Sequence, residues 1–308
     1  MTSGASAPLA FAKTWQTSTH VIDLSRPRVM GIVNVTPDSF FDGGLHAGTD
    51  AAIAHCERLV REGADMLDIG GESSRPGAAP LPVAEELARV LPVLRVAQTL
   101  GLPVSVDTCK PEVMRAALDL GADIVNDIRA LQAPGAMAAV AAHPRCGVCL
   151  MHMLGEPQTM QHAPAYADVV QEVASFLAAR AQAAQAAGIA AARIVLDPGI
   201  GFAKLPEHNL ALLARQEELL RCGLPLLVGW SRKSTLGALT GRAAPDRLAA
   251  SVAAALAAVQ RGASIVRVHD VAATVDALRV WRAAELGACG SAGQNSGLKT
   301  THCASDAP

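Results

Sequence analysis

The sequence predicts a single α/β domain, a (β/α)8 barrel. Three observations carry that reading. A short β-branched run, a polar or glycine-rich turn and a longer stretch of helical periodicity recur eight times along the chain. The short runs are almost continuously apolar, as parallel strands covered on both faces must be. The length of 308 residues suits one such unit, since these barrels need about 250 residues. Eight repeats in one chain point to a closed barrel rather than an open sheet.

Taken in order, the strands are read at Val29–Val33, Met66–Ile69, Val104–Val106, Ile124–Val125, Val148–Met151, Ile194–Leu196, Leu226–Val228 and Ile265–Val268. Helical stretches between them include Ala51–Arg61, Glu85–Thr99, Pro111–Leu120, Ala167–Ala187, Glu207–Leu220 and Pro245–Arg261. Residues 1–27 are expected to form an N-terminal arm or small hairpin that plugs the barrel bottom. The barrel proper is expected over 28–286. Residues 287–308, small and polar, are expected to be a disordered tail. Three loops, Thr36–Gly44, Gly70–Gly77 and Pro198–Gly201, are rich in Gly, Pro and Ser. Such loops above a barrel often serve as lids, although Pro37-Asp38 and Asp42-Gly43 are also ordinary turn formers.

Composition narrows the function. Net charge is −2 and the pI about 6.5, so no bulk field attracts nucleic acid or an anionic membrane, and an anionic substrate must be held by local groups. Aromatics are only 3%, which argues against a stacking platform for single-stranded nucleic acid. Mean hydropathy is +0.28, yet the most apolar stretch, Ala249–Val259, is interrupted by Ser251 and bracketed by Arg247 and Arg261. A membrane span needs about 18 or more such residues, so this reads as a buried alanine-rich helix. Met1–Lys13 lacks a basic region followed by an apolar core, so no signal peptide is expected and the location expected is cytoplasmic. Cys146 and Cys149 form a C-x-x-C with no second pair at zinc spacing, and read as reduced packing cysteines.

Chemistry in such barrels sits at the C-terminal ends of the strands. Here each apolar strand is followed by a residue foreign to a core: Asn34, Glu72, Asp107, Asn126, His152, Asp197, Lys233, and the pair Arg267 and His269. Closure makes the last strand the neighbour of the first, so Arg267, His269 and Asn34 should converge. Arg267 and His269, two apart, share a strand face. They make a credible phosphate or pyrophosphate site, with Asn34 placed to meet a Mg2+ bound to that anion. The competing reading is a structural ion pair of Arg267 with Asp270. Asp107, Asn126, Asp197 and Lys233 suit a flat heterocycle, because a carboxylate accepts two parallel N–H bonds from an aminopyrimidine edge. The competing reading is a set of buried charges paired for stability. Strand parity lets only one of Arg232 and Lys233 face the pocket, and Lys233 is the expected one.

The runs MGIVNVTPDSFFDGG (Met30–Gly44), ADMLDIGGESSRPG (Ala64–Gly77), VSVDTCK (Val104–Lys110), DPGIGF (Asp197–Phe202), VGWSRKS (Val228–Ser234) and RVHDV (Arg267–Val271) resemble the dihydropteroate synthase family. The likeness runs from about Val29 to Ala284 and keeps the motif order. It implies a transferase of folate biosynthesis that condenses 6-hydroxymethyl-7,8-dihydropterin pyrophosphate with p-aminobenzoate. Asp107, Asn126, Asp197 and Lys233 would bind the pterin, and Asn34, Arg267 and His269 the pyrophosphate and Mg2+. Ser74, Arg75, Pro76, Phe202 and Ser234 would bind p-aminobenzoate, with Phe40, Phe41 and Asp42 on a closing loop. Asp107, Lys233, Arg267 and His269 would carry catalysis. The resemblance also implies a homodimer and competition by sulfonamides. Ser74 stands where the family more often has Thr, and Trp230 at a position that is usually smaller.

The expected chemistry is dissociative substitution at the methylene bearing the pyrophosphate. An arylamine, neutral at pH 7, needs no strong general base, which accounts for the lack of a Ser-His-Asp arrangement. The rivals are a pterin-binding methyltransferase domain or binding module on the same barrel, which would need no anion site, and a Schiff-base aldolase using Lys233. A purely structural protein would not need so many polar strand ends.

Overall fold

The computed structural model describes residues 13–35, 44–73, 77–156, 159–160 and 164–290. Eight strands form one parallel sheet: β3 (Arg28–Asn34), β4 (Met66–Gly70), β5 (Val104–Asp107), β6 (Ile124–Asp127), β7 (Gly147–Met151), β8 (Ile194–Asp197), β9 (Leu227–Val228) and β10 (Ile265–Val268). Their order is β8-β7-β6-β5-β4-β3-β10-β9, and a parallel bridge from Leu196 to Leu226 joins the two ends into a ring. The seventh strand thus pairs at all three positions from Leu226 to Val228, although regular pairing with β10 begins at Leu227. The strand bodies are buried, which fits their apolar composition: one side faces the barrel interior and the other the helices.

Nine α-helices accompany the strands among the described residues: α1 (Gly44–Arg61), α2 (Val83–Ala97), α3 (Pro111–Leu120), α4 (Ala136–Ala141), α5 (Val169–Ala186), α6 (Pro206–Ala214), α7 (Ser234–Thr240), α8 (Leu248–Gln260) and α9 (Val271–Gly290). Local chemistry sets several ends. Pro111 opens α3, where its missing N–H costs nothing, and Gly121 closes it at φ 111°. The Asp168 side chain caps α5 by accepting from the Val170 and Gln171 amides at 3.0 and 3.2 Å. The single helix expected over Glu207–Leu220 is broken. α6 stops at Ala214 and a 3-10 turn takes Gln216–Cys222. The break turns the Gln216 amide inward to the carbonyls of Ala258 and Arg261, at 2.8 and 3.0 Å. At the C-terminal end α9 continues to Gly290, beyond residue 286 where the barrel was expected to stop.

The N-terminal segment is an antiparallel hairpin of β1 (Thr14–Gln16) and β2 (Val21–Asp23). It lies across the bottom of the barrel. Trp15 is fully buried there, packed with Ile22 against Met30, Met66, Ile124, Cys149, Val195, Leu227 and Ile265, and its indole N–H donates to the Arg193 carbonyl at 2.9 Å. Asp123 latches the hairpin turn by accepting from the Thr17 and Thr19 hydroxyls and the Thr19 amide, at 3.1, 2.7 and 2.9 Å. Cys146 and Cys149 are buried free thiols. Burial pushes the Cys146 thiol up to about 11 and Cys149 well above the ordinary range, so both pack as protonated groups. No helix among the described residues is long and apolar enough to cross a membrane.

Candidate active site

Alternate residues of a strand face the same side, and in this barrel the inward set changes character with height. At the floor it is apolar: Met30, Met66, Ile124, Cys149, Val195, Leu227 and Ile265. Two residues further along, β4 presents Asp68, β6 Asn126, β8 Asp197 and β10 Arg267. At the rim, register places Asn34 beside Gly70, Gly70 beside Asp107, and Asp107 beside Asn126. The result is a polar layer on a greasy base. A cleft of about 320 Å³ opens beside Asp107, lined among others by Glu72, Cys109, Lys110, Ile128 and Arg129.

Arg267 is the hub of this layer. Its Nε donates to Asp68 Oδ2 at 2.6 Å and its Nη2 to Asp107 Oδ2 at 2.8 Å. Burial works against the cation, but Asp68 and Asp107 overcome it and hold its pKa above the usual arginine range. Asp68 Oδ2 also accepts from Asn126 Nδ2 at 3.0 Å. One carboxylate oxygen therefore orients both the guanidinium and the amide. Burial raises Asp107, with Arg267 opposing and Asp68 adding like charge. Asp270 pairs with Arg232 at 2.6 Å, which overturns the alternative of an Arg267–Asp270 pair. His269 follows β10, and its amide and Nδ1 meet the Ser231 hydroxyl at 3.1 and 3.0 Å. Burial and the nearby Arg267 lower its pKa to about 3, so it is neutral at pH 7.

The opposite wall is built by Asp197, Phe202 and Lys233. Asp197 is buried, and its Oδ1 accepts from the Gly199 amide at 2.7 Å. Burial raises it to about 6, against the pull of that N–H and of Lys233. Burial likewise lowers Lys233 to about 8, opposed by Asp197. The Lys233 ammonium stands 4.2 Å from the centre of the Phe202 ring, a cation–π contact. The strand expected to set the parity of Arg232 and Lys233 has already ended at Val228. A left-handed Arg232, φ 59°, separates them instead, sending Arg232 out to Asp270 and Lys233 in. Ser234 begins α7 and is exposed. Trp230 is buried, and its indole N–H has no partner among the described residues.

Some expected site residues fall elsewhere. Glu72 turns aside to Lys110, which it meets at 2.7 Å, and Lys110 also contacts the buried Glu86. The strand ends at Gly70, so Glu72 lies on the following bend, at the edge of the cleft. His152 is buried, its ring edge-on to Phe176 with centroids 4.9 Å apart, and burial with the adjacent Lys204 lowers its pKa to about 3. Ser74, Arg75, Pro76, Phe40, Phe41 and Asp42 lie outside the described residues. Two groups escaped the sequence reading. Asp68 was hidden inside an apparently apolar strand, where the signal was an acid facing the arginine of another strand body. Lys204 is a buried lysine in the loop after β8, with nothing in its spacing to announce it.

Known proteins are similar to this chain in sequence and fold. A family model described as pterin binding enzyme matches residues 30–269. The dihydropteroate synthase of Neisseria meningitidis serogroup B is 54% identical over 275 residues, spanning 87% of this chain and 96% of that protein. The chain belongs to the dihydropteroate synthase family. Among solved dihydropteroate synthases, the Xanthomonas albilineans enzyme with 4-aminobenzoic acid superposes with a TM-score of 0.84 at 55% identity, over 89% of this chain and 98% of that one. The Burkholderia cenocepacia enzyme complexed with 7,8-dihydropteroate gives 0.83 at 51% identity, over 91% and 99%.

Proposed function

We propose that this chain joins 6-hydroxymethyl-7,8-dihydropterin pyrophosphate to p-aminobenzoate, releasing 7,8-dihydropteroate and pyrophosphate. The observation that carries the reading is the Asp68–Arg267–Asp107 array at the head of the barrel, beside an amide and facing an Asp197–Lys233 wall. The pterin would lie flat over the apolar floor, its aminopyrimidine edge on Asp197 and Asn126 and its ring oxygen or nitrogen on Lys233. Arg267 and His269 would take the pyrophosphate. Beyond Asp68 and Asp107, the other Arg267 N–H groups have no protein acceptor among the described residues, so they can donate to an anion. Neutral His269 can donate a single N–H to it without carrying charge.

As the methylene C–O bond breaks, positive charge spreads from the methylene into the pterin ring, and Asp107 would favour it. Lys233 and Arg267 stabilise the departing charge in a partly dehydrated pocket. The arylamine nitrogen then forms the new C–N bond and loses a proton. Phe202 and Ser234, with Ser74, Arg75 and Pro76, would hold p-aminobenzoate, and Phe40, Phe41 and Asp42 would close over it. No three His, Cys, Asp or Glu side chains cluster to cage a metal among the described residues. Mg2+ is a hard cation that takes one or two protein oxygens and completes its shell with phosphates and water. Asn34, at the end of β3, would offer such an oxygen to a Mg2+ that neutralises charge on the pyrophosphate.

A cytoplasmic homodimer that sulfonamides inhibit belongs to the same reading. Leu239 on α7 and Leu248 on α8 are 59% and 43% exposed and would be apolar contacts for a second copy, to be checked by sedimentation. The deciding experiment mixes the protein with pterin pyrophosphate, p-aminobenzoate and Mg2+ and follows pyrophosphate release. Release that depends on the amine is expected; release without it, or none, would sink the proposal.

A further inference from the structure

Lys204 stands behind the site rather than in it. Its side chain is almost wholly enclosed, the residue being 3% exposed. Its Nζ reaches His152 Nδ1 at 2.9 Å, the His152 carbonyl at 3.4 Å, and the carbonyls of Gly199 and Phe202 at 3.1 and 2.9 Å. All four acceptors are uncharged, and no carboxylate pairs with Lys204 among the described residues. Asp197 favours the ammonium from a distance and Lys233 opposes it, while burial dominates and lowers Lys204 to about 7. A cation enclosed with neutral partners adds little to stability, so its use lies in what it holds.

What it holds is the loop after β8. This loop runs so near His152 that a Cβ on Gly199 would fall 1.9 Å from the His152 carbonyl oxygen, and one on Gly201 would fall 3.0 Å from Lys233 Cδ. Asn209 Oδ1 accepts from the Gly201 amide at 2.8 Å, and the Tyr166 hydroxyl donates to the Ala203 carbonyl at 2.9 Å. Within the loop, Phe202 sets its ring against the Lys233 ammonium. We propose that Lys204 is a positioning residue: by gathering the Gly199 and Phe202 carbonyls onto the end of β7, it fixes the Phe202 ring and thereby shapes the p-aminobenzoate half of the site. The inference rests on the assignment of Phe202 to that half. With the lysine charged, His152 Nδ1 accepts and the imidazole proton sits on Nε2.

Lys204→Met and Lys204→Gln, compared with the wild-type chain in steady-state kinetics and pterin pyrophosphate binding, test it. Lys204→Met is expected to fold, to bind the pterin within about threefold of wild type, and to raise KM for p-aminobenzoate about tenfold with kcat changed less. Lys204→Gln, which keeps two N–H donors, should recover part of that KM. In a Phe202→Ala background the methionine change should add less than about twofold, because its target is gone. An unchanged KM, an equal loss of kcat/KM, kcat and pterin affinity, or full additivity with Phe202→Ala would overturn the proposal. So would failure of both variants to fold, which would make Lys204 purely structural. Absence of wild-type turnover would instead overturn the functional reading, whatever the variants bind.

Discussion

Asp68→Ala is the most informative single change, because one oxygen of this carboxylate serves two partners. The substitution removes the 2.6 Å bond from Arg267 Nε and the 3.0 Å bond from Asn126 Nδ2. Breaking a buried ion pair by deleting one partner costs about 3–5 kcal/mol. Two facts place this case at the lower end. Arg267 keeps Asp107 and is 21% exposed at its side chain, and Asp68 Oδ1 is buried without a partner, a cost that the substitution removes. About 3 kcal/mol remains, which in a domain of this size lowers Tm by roughly 6–12 °C. Asp68→Asn retains one acceptor for Arg267 but sets an amide against the Asn126 amide, so its loss should be roughly half. Thermal unfolding followed by circular dichroism, with pterin pyrophosphate binding measured below the transition, reads both effects. Melting of both variants within about 2 °C of wild type, with pterin pyrophosphate affinity unchanged, would refute the claim that Asp68 organises the array.

Lys233→Ala and Asp197→Ala should abolish pterin binding while leaving the circular dichroism spectrum intact; full turnover by either would show that the site lies elsewhere. Gly199→Ala forces a Cβ to 1.9 Å from a backbone oxygen at φ 67°, and should cost about 4 kcal/mol or more, seen as a lowered denaturant midpoint; a wild-type midpoint would contradict the loop geometry. His152 is 4% exposed and its pKa falls from 6.5 to about 3 on folding. Between those values the unfolded chain binds the proton that the fold refuses, so stability is full above pH 6.5 and falls as pH drops toward 3. At pH 5 the loss from this group is about 2 kcal/mol, and His152→Gln should lose that much less between pH 7 and 5 in urea titrations; identical losses would exclude the mechanism. Chelating Mg2+ should weaken binding of the pyrophosphate-bearing pterin and spare the pterin alcohol, measured by calorimetry; equal weakening of both would argue against a metal at Asn34.

The barrel was legible because its strands are apolar runs a few residues long, each followed by a turn and a polar residue. That same rule located Asp107, Asn126, Asp197, Lys233 and Arg267, which the fold brings to one end. It failed where chemistry hides inside a strand or beyond its local frame. Asp68 sits among Met66, Leu67 and Ile69, and nothing nearby in sequence reveals that its partner is Arg267, 199 positions away. Glu72 obeyed the rule on paper, yet β4 had already ended two residues earlier, so it answers to Lys110. The break after α6 was invisible because Gln216 is turned inward by carbonyls on another helix. Lys204 belongs to the same class, its acceptors being set by the path of a loop.

Where the circle of strands meets itself, a single rung among the described residues, Leu196–Leu226, spans the gap. Asp197 sits on one lip of that seam and Lys233 just past the other. A flat heterocycle that hydrogen-bonded both residues would therefore act as a rivet, completing a circumference that the described backbone leaves lightly stitched at this point.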